Sequence, residues 1–180
     1  VTGIRRPVAL AGPANRAGRL VADDILRPGT ARPIPHPVGT AIVRIGALSA
    51  ALTGANRAAL DAAGIGYRTI HLHPSQHAGY FPGATQLHLI LHFREPDGLL
   101  LGGQAVGAEG VDKRIDVIAT AIRSGMVVDD LIDLDLAYSP PYGQAKDPVN
   151  LAGMVGENVR TATLALWYAQ DVDRVLGEAF

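Results

Sequence analysis

Two tyrosines, Tyr138 and Tyr142, bracket a proline pair in the stretch Tyr138-Ser139-Pro140-Pro141-Tyr142-Gly143-Gln144-Ala145-Lys146-Asp147-Pro148-Val149-Asn150. Each proline fixes its own φ and pushes the preceding residue toward extended backbone, so the segment is stiff. Stiffness suits a phenol that must stand at a fixed distance from a reacting atom. A phenol titrates near ~10, so at neutral pH it retains a proton to offer a developing thiolate. Composition alone favours a plainer role, that of an ordinary loop whose tyrosines cover the edge of a core.

Histidines form the second candidate group. His71, His73 and His77 cluster at the end of one predicted strand, with His71 and His73 on the same face. This spacing permits convergent metal ligands, but no carboxylate or cysteine lies close in sequence to complete a set. Structural histidines are the better reading, and no metal is expected. His88 and His92 flank Ile90 on the other face of a second strand. They are expected to face water or a partner subunit.

Three further stretches carry weaker signals. Gly12-Pro13-Ala14-Asn15, with Gly18-Arg19 following, reads as a turn into a helix. Unpaired N–H groups at such a start favour a negative charge or a polarised carbonyl. Gly102, Gly103 and Gly107 do not make a phosphate loop, since no Lys-Ser/Thr pair follows them. Gly110-Val111-Asp112-Lys113-Arg114 is adequately explained as a solvated helix face.

Composition narrows the chemistry further. The chain contains no cysteine, which removes disulfides, thiolate metal sites and a cysteine nucleophile from its own residues. Lysine and arginine number 16 against 17 acidic residues, interspersed, so no basic nucleic-acid footprint is present. No apolar run approaches the ~20 residues that span a bilayer, and the first residues do not resemble a signal peptide. Hydrophobic residues at 48% and charged residues at 18% are globular proportions.

The elements that must position these residues follow from periodicity. A helix is predicted through Leu20, Val21 and Ile25, ending near Arg27 before Pro28-Gly29. Pro28, Pro33, Pro35 and Pro37, with Gly29 and Gly39, make a linker and the best domain boundary. Strands are predicted at 41–45, continuing through 47–52, at 67–73, at 86–94 and at 99–106, the last two joined as a hairpin by Glu95-Pro96-Asp97-Gly98. Leu87, Leu89, Leu91 and Phe93 share one face. Helices are predicted at 56–63, through Val111, Ile115, Ile118 and Ile122 to Gly125, over a short piece at 129–132, and from Asp147-Pro148 past Asn158. Strands first and helices later imply an α+β fold, an antiparallel sheet with helices packed on one face.

Three stretches occur in the order and spacing of coenzyme A disulfide reductases and related NADH oxidases. They are Ala11 to Arg16 with Gly18-Arg19, Gly107 to Asp116 in Gly-Ala-Glu-Gly-Val-Asp-Lys-Arg-Ile-Asp, and Tyr138 to Asn150. The resemblance spans about residues 1–158 and implies the C-terminal, dimerisation region of a pyridine nucleotide-disulfide oxidoreductase. On that basis residues 1–33 would be the remnant of an FAD-binding domain and 36–158 the dimerisation domain. Residues 159–180 would be a linker toward a rhodanese-like domain, of the kind fused to some relatives. The parent would be a cytoplasmic homodimer using FAD and NAD(P)H to reduce coenzyme A disulfide or persulfide, and this region by itself would bind no cofactor and be inactive.

The resemblance also assigns residues. Gly12, Pro13, Ala14 and Asn15 would point at the flavin's pyrimidine edge. In such reductases a cysteine of the FAD domain attacks the disulfide, and tyrosines from the partner's dimerisation domain assist at the released thiolate. By motif those tyrosines are Tyr138 and Tyr80, the latter in His77-Ala78-Gly79-Tyr80-Phe81-Pro82-Gly83. Glutathione reductase-like relatives use a C-terminal His-Glu pair that has no counterpart here. The sequence also lacks a dinucleotide glycine fingerprint. An NADH oxidase of the same family, a free-standing non-catalytic interaction module and a histidine-based metal protein are the rival readings.

Overall fold

The computed structural model describes residues 1–5 and 7–178. The expected segments 1–33 and 159–180 include Arg6, Ala179 and Phe180, which lie outside the described residues. Helix α1 (Ala11–Leu26) comes first and buries none of its residues. After the proline-rich stretch come β1 (Ala41–Ile45), β2 (Leu48–Gly54), α2 (Arg57–Ala62), β3 (Tyr67–Leu72), β4 (Leu87–Arg94) and β5 (Leu100–Gly107). Helices α3 (Val111–Ser124), α4 (Pro148–Arg160) and α5 (Val172–Glu178) follow, with short 3-10 turns at Asp129–Leu131 and Ala169–Asp171.

Local chemistry sets the boundaries. Asn56 caps α2 by accepting from the Ala59 amide at 3.0 Å, and Asp147 caps α4 by accepting from the Val149 amide at 3.1 Å. Gly125 ends α3 with φ 73°, a left-handed conformation natural to glycine. The five strands form one antiparallel sheet in the order β1-β2-β5-β4-β3. The β4–β5 hairpin is as expected from sequence. The insertion of β5 between β2 and β4 is a long-range pairing.

The alternation on β4 decides where the core lies. Leu87, Leu89, Leu91 and Phe93 pack with Ile70 of β3, Ala105 of β5, and Ile115 and Ile118 of α3, while Val149 and Ala152 of α4 close the layer. Burying each large side chain of this kind contributes roughly 1.5–3 kcal/mol. Gly102 allows a close backbone approach, since a Cβ there would stand 1.9 Å from the Ala55 carbonyl oxygen. The other face of the sheet leaves Val43, Ile45, Leu48, Leu52 and Val106 exposed. Part of it is crossed by the C-terminal segment. The Tyr168 hydroxyl donates to the Thr69 carbonyl at 2.6 Å, and its ring meets His71 edge-on. A cleft of about 560 Å³ lies between them, walled by Arg57, His71, His73, Gln104 and Trp167.

Two expectations need correction. His92, expected to face water or a partner, is only 2% exposed. Its Nδ1 lies 2.9 Å from the Thr69 hydroxyl, and the Tyr67 ring packs edge-on against it. Burial, aided by the charge of Arg57, lowers its pKa to about 4, so it is neutral at pH 7. Arg114, read as part of a solvated helix face, is 1% exposed and lies beneath the loops described next. His88 is exposed as expected, its Nδ1 2.8 Å from that of His73.

Candidate functional site

Tyr80 stands on the loop between β3 and β4, which closes at its neck. The Gln76 amide donates to the Thr85 carbonyl at 2.9 Å, and the Leu87 amide to Pro74 at 2.8 Å. Within the loop the Phe81 amide donates to the Ala78 carbonyl at 2.9 Å, and the Phe81 ring sits edge-on to the buried His77. A surface loop with its ends tied is a stable platform for an exposed side chain.

Tyr138 stands on the chain that leads into α4. Pro140 and Pro141 occupy the centre of a turn in which the Tyr142 amide donates to the Ser139 carbonyl at 2.9 Å. Proline's fixed φ favours that geometry at Pro140, the first of the two central positions. Behind the turn, the Asn150 side-chain amide donates to the carbonyls of Leu131, Ile132 and Leu134. This ties the start of the segment to α4.

Direct bonds join the two loops. The Ala78 amide donates to the Gly143 carbonyl at 2.8 Å, and the Gln144 side-chain amide donates to the Ser75 carbonyl. Arg114 reaches both sides, through Gln76 and Asp147. The result is that the hydroxyl oxygens of Tyr80 and Tyr138 lie 3.4 Å apart, a long contact in which either phenol can be the donor. Both rings are exposed, Tyr80 at 78% and Tyr138 at 49%. The contact with Tyr80 raises the Tyr138 pKa, with loss of solvent and the coulombic influence of Tyr80 adding to the shift. Tyr138 therefore holds its proton at neutral pH. Two phenol hydroxyls side by side at a surface can donate hydrogen bonds to an anion that docks against them.

The other expected site residues lie elsewhere. Gly12, Pro13, Ala14 and Asn15 form the first turn of α1, and Pro13 and Ala14 also line a cleft of about 300 Å³ with Val8, Ile34 and Pro35. Among the described residues no hydrogen bond joins that turn to the tyrosine pair. The helix start carries no side-chain cap and no acidic residue. Pro13 has no N–H and the Ala14 amide donates to the Leu10 carbonyl at 3.2 Å, so the amides of Ala11 and Gly12 are the donors that could meet a polarised carbonyl edge such as a flavin presents; a bound flavin would supply two-electron transfer. Among the described residues no group of three or more His, Cys, Asp or Glu side chains is arranged to hold a metal.

Lys113, Arg114 and Asn150 were missed as site residues. Arg114 had a usable signal, because it falls on the same helical stripe as Val111 and Ile118. A charged residue on an apolar stripe calls for a buried partner. Asp147 was recognised as a helix cap but not as that partner.

Comparison with known proteins follows this geometry. Residues 40–148 match the family described as pyridine nucleotide-disulphide oxidoreductase, dimerisation domain. A coenzyme A disulfide reductase of Staphylococcus aureus (strain bovine RF122 / ET3-1) is 35% identical over 146 residues, covering 81% of this chain and 33% of that protein. The crystal structure of reduced CoADR-RHD from Bacillus anthracis superposes with a TM-score of 0.93 at 39% identity, covering 99% of this chain and 32% of the other. A NAD-dependent persulfide reductase from A. fulgidus superposes with a TM-score of 0.87 at 36% identity, covering 91% and 30%. The chain thus spans about a third of the length of each of these three relatives.

Proposed function

Since the chain belongs to the family of pyridine nucleotide-disulphide oxidoreductase dimerisation domains, we propose that it pairs two subunits of an FAD- and NAD(P)H-dependent disulfide reductase and lends Tyr80 and Tyr138 to the partner's active site. The substrate is coenzyme A disulfide or a persulfide. Supporting this are relatives at 35–39% identity that are named a coenzyme A disulfide reductase and a persulfide reductase. Residues 1–33 belong to the FAD-binding domain, with the Gly12–Asn15 turn against the flavin, and 36–158 form the dimerisation domain. Residues 159–180 lead on toward a rhodanese-like domain. The region alone is inactive, because its own sequence has no cysteine to attack a disulfide. The protein is cytoplasmic. Among the described residues no helix is long and apolar enough to cross a membrane.

The observation that carries this proposal is the 3.4 Å approach of the two exposed phenols from separate, cross-braced loops. When a thiolate of the parent enzyme attacks one sulfur of the disulfide, the S–S bond breaks and the other sulfur leaves as a thiolate. Hydrogen bonds from Tyr80 and Tyr138 stabilise that leaving charge as it develops. Tyr138, with its pKa raised, acts as a hydrogen-bond donor and does not surrender its proton fully.

Hybrid dimers test whether the phenols act across the subunit boundary. One inactive parent lacks the redox cysteine of its FAD domain. The other lacks both phenol hydroxyls, through Tyr80→Phe and Tyr138→Phe. Mixing them restores one intact site per hybrid if the tyrosines serve the partner. If the tyrosines serve their own subunit, mixing restores nothing and the proposal fails.

A further inference from the structure

We infer that Arg114 is a positioning residue for the tyrosine pair, its buried guanidinium holding the Tyr80 loop and the Tyr138 segment in register. This rests on the role proposed above for the two phenols.

Arg114 sits in the first turns of α3 among core residues, where an aliphatic side chain would pack without any need for partners. Burying a guanidinium is costly unless its donors are occupied, so stability alone does not account for it. Its donors are spent on three elements. Nη2 donates to the Gln76 carbonyl at 2.7 Å and to Asp147 Oδ2 at 2.9 Å. Nε donates to Asp147 Oδ1 at 3.3 Å, and Nη1 to the Gly110 carbonyl at 3.3 Å. Gln76 opens the loop that carries Tyr80. Asp147 closes the segment that carries Tyr138 and also caps α4.

The neighbouring residues fit the same purpose. Lys113 Nζ lies 3.5 Å from Asp147 Oδ2 and donates to the carbonyl of Ala137, the residue before Tyr138, at 3.3 Å. Gly110 leaves room for the guanidinium, since a Cβ there would stand 2.5 Å from Nη1. A planar, forked donor spans the two loops as a single rigid strut, which an ammonium cannot do. Arg114 therefore acts through Tyr80 and Tyr138, and its loss lengthens or misaligns their contact.

The test uses the full-length reductase. Arg114→Lys and Lys113→Met are each made in the native background and in a Tyr80→Phe/Tyr138→Phe background. Flavin content, dimer mass, flavin reduction by NAD(P)H and reoxidation of the reduced enzyme by coenzyme A disulfide are followed. In the native background, Arg114→Lys slows reoxidation about tenfold and Lys113→Met about threefold, with flavin reduction unchanged. In the double-Phe background the further loss is under about twofold, because the residues acted on are already gone. Equal losses in both backgrounds would overturn the inference and mark Arg114 as structural. So would full activity in both the Arg114→Lys and Lys113→Met variants while the Phe variants are slow. If the Phe variants are as fast as native, the tyrosine role itself is wrong and the inference falls with it. Should Arg114→Lys fail to bind flavin or dimerise, Lys113→Met decides by the same comparison.

Discussion

The Ala78 amide donates to the Gly143 carbonyl at 2.8 Å, binding the loop after β3 to the segment before α4. That bond lies between the two tyrosine-bearing stretches and makes their meeting a property of the backbone. Fixing two loops together removes freedom that would otherwise be lost when substrate docks. Exposed phenols on a braced frame can be oriented without being buried.

Asn150 is expected to matter for stability well beyond its size. It is 8% exposed and its amide nitrogen serves the carbonyls of Leu131, Ile132 and Leu134. Asn150→Ala leaves those carbonyls short of a donor and should cost about 2 kcal/mol. Asn150→Asp should cost more at neutral pH, since a carboxylate would face the same oxygens. Urea midpoints measure both. Equal stability of Asp and Asn variants would contradict the assignment.

Gly102 and Gly66 should respond oppositely to an added methyl. At Gly102 a Cβ would meet the Ala55 carbonyl oxygen at 1.9 Å, with only backbone to yield. Gly102→Ala should destabilise by about 3 kcal/mol. At Gly66 nothing lies within 4 Å and φ is not positive. Gly66→Ala should be neutral or stabilise by up to about 1 kcal/mol through the unfolded chain. Thermal unfolding of the pair provides the comparison, and similar losses at both sites would be inconsistent with the packing.

His92 predicts a pH dependence of stability. It is neutral in the fold, with a pKa lowered to about 4, whereas in the unfolded chain a histidine takes a proton near ~6.5. Between those values the unfolded state binds more protons. Stability should therefore fall as pH drops from about 6.5 to about 4 and level off below, with a total effect of up to about 3 kcal/mol. His71, also lowered by burial, adds in the same direction. Urea titrations of native protein and His92→Gln at about pH 7 and about pH 4.5 separate the two. Identical slopes would show that His92 does not carry the effect.

Local pattern disclosed the elements, and topology hid their meetings. The alternation at Leu87, Leu89, Leu91 and Phe93 and the stripe of Val111, Ile115 and Ile118 are local signals, and both became core. The sheet order is not local, because strand neighbours are chosen by long-range pairing. The same limit explains His92. Its period placed it opposite the leucines, but nothing nearby in sequence shows that Tyr67 packs against it. Arg114 was visible as a charge on an apolar stripe, yet its partners Gln76 and Asp147 arrive from distant loops. Tyr138 stands out beside its proline pair, while Tyr80, and the role of both, came through family resemblance. Their approach to 3.4 Å is a fact of the fold.

The most direct measurement follows the two half-reactions of the full-length enzyme by rapid mixing, comparing native protein with Tyr80→Phe/Tyr138→Phe. Flavin reduction by NAD(P)H is read first, and then reoxidation of the reduced enzyme by coenzyme A disulfide. The account predicts unchanged flavin reduction and reoxidation slowed by about a hundredfold, the loss of hydrogen bonds made to the leaving thiolate. Reoxidation at the native rate, or equal slowing of both half-reactions, would contradict it.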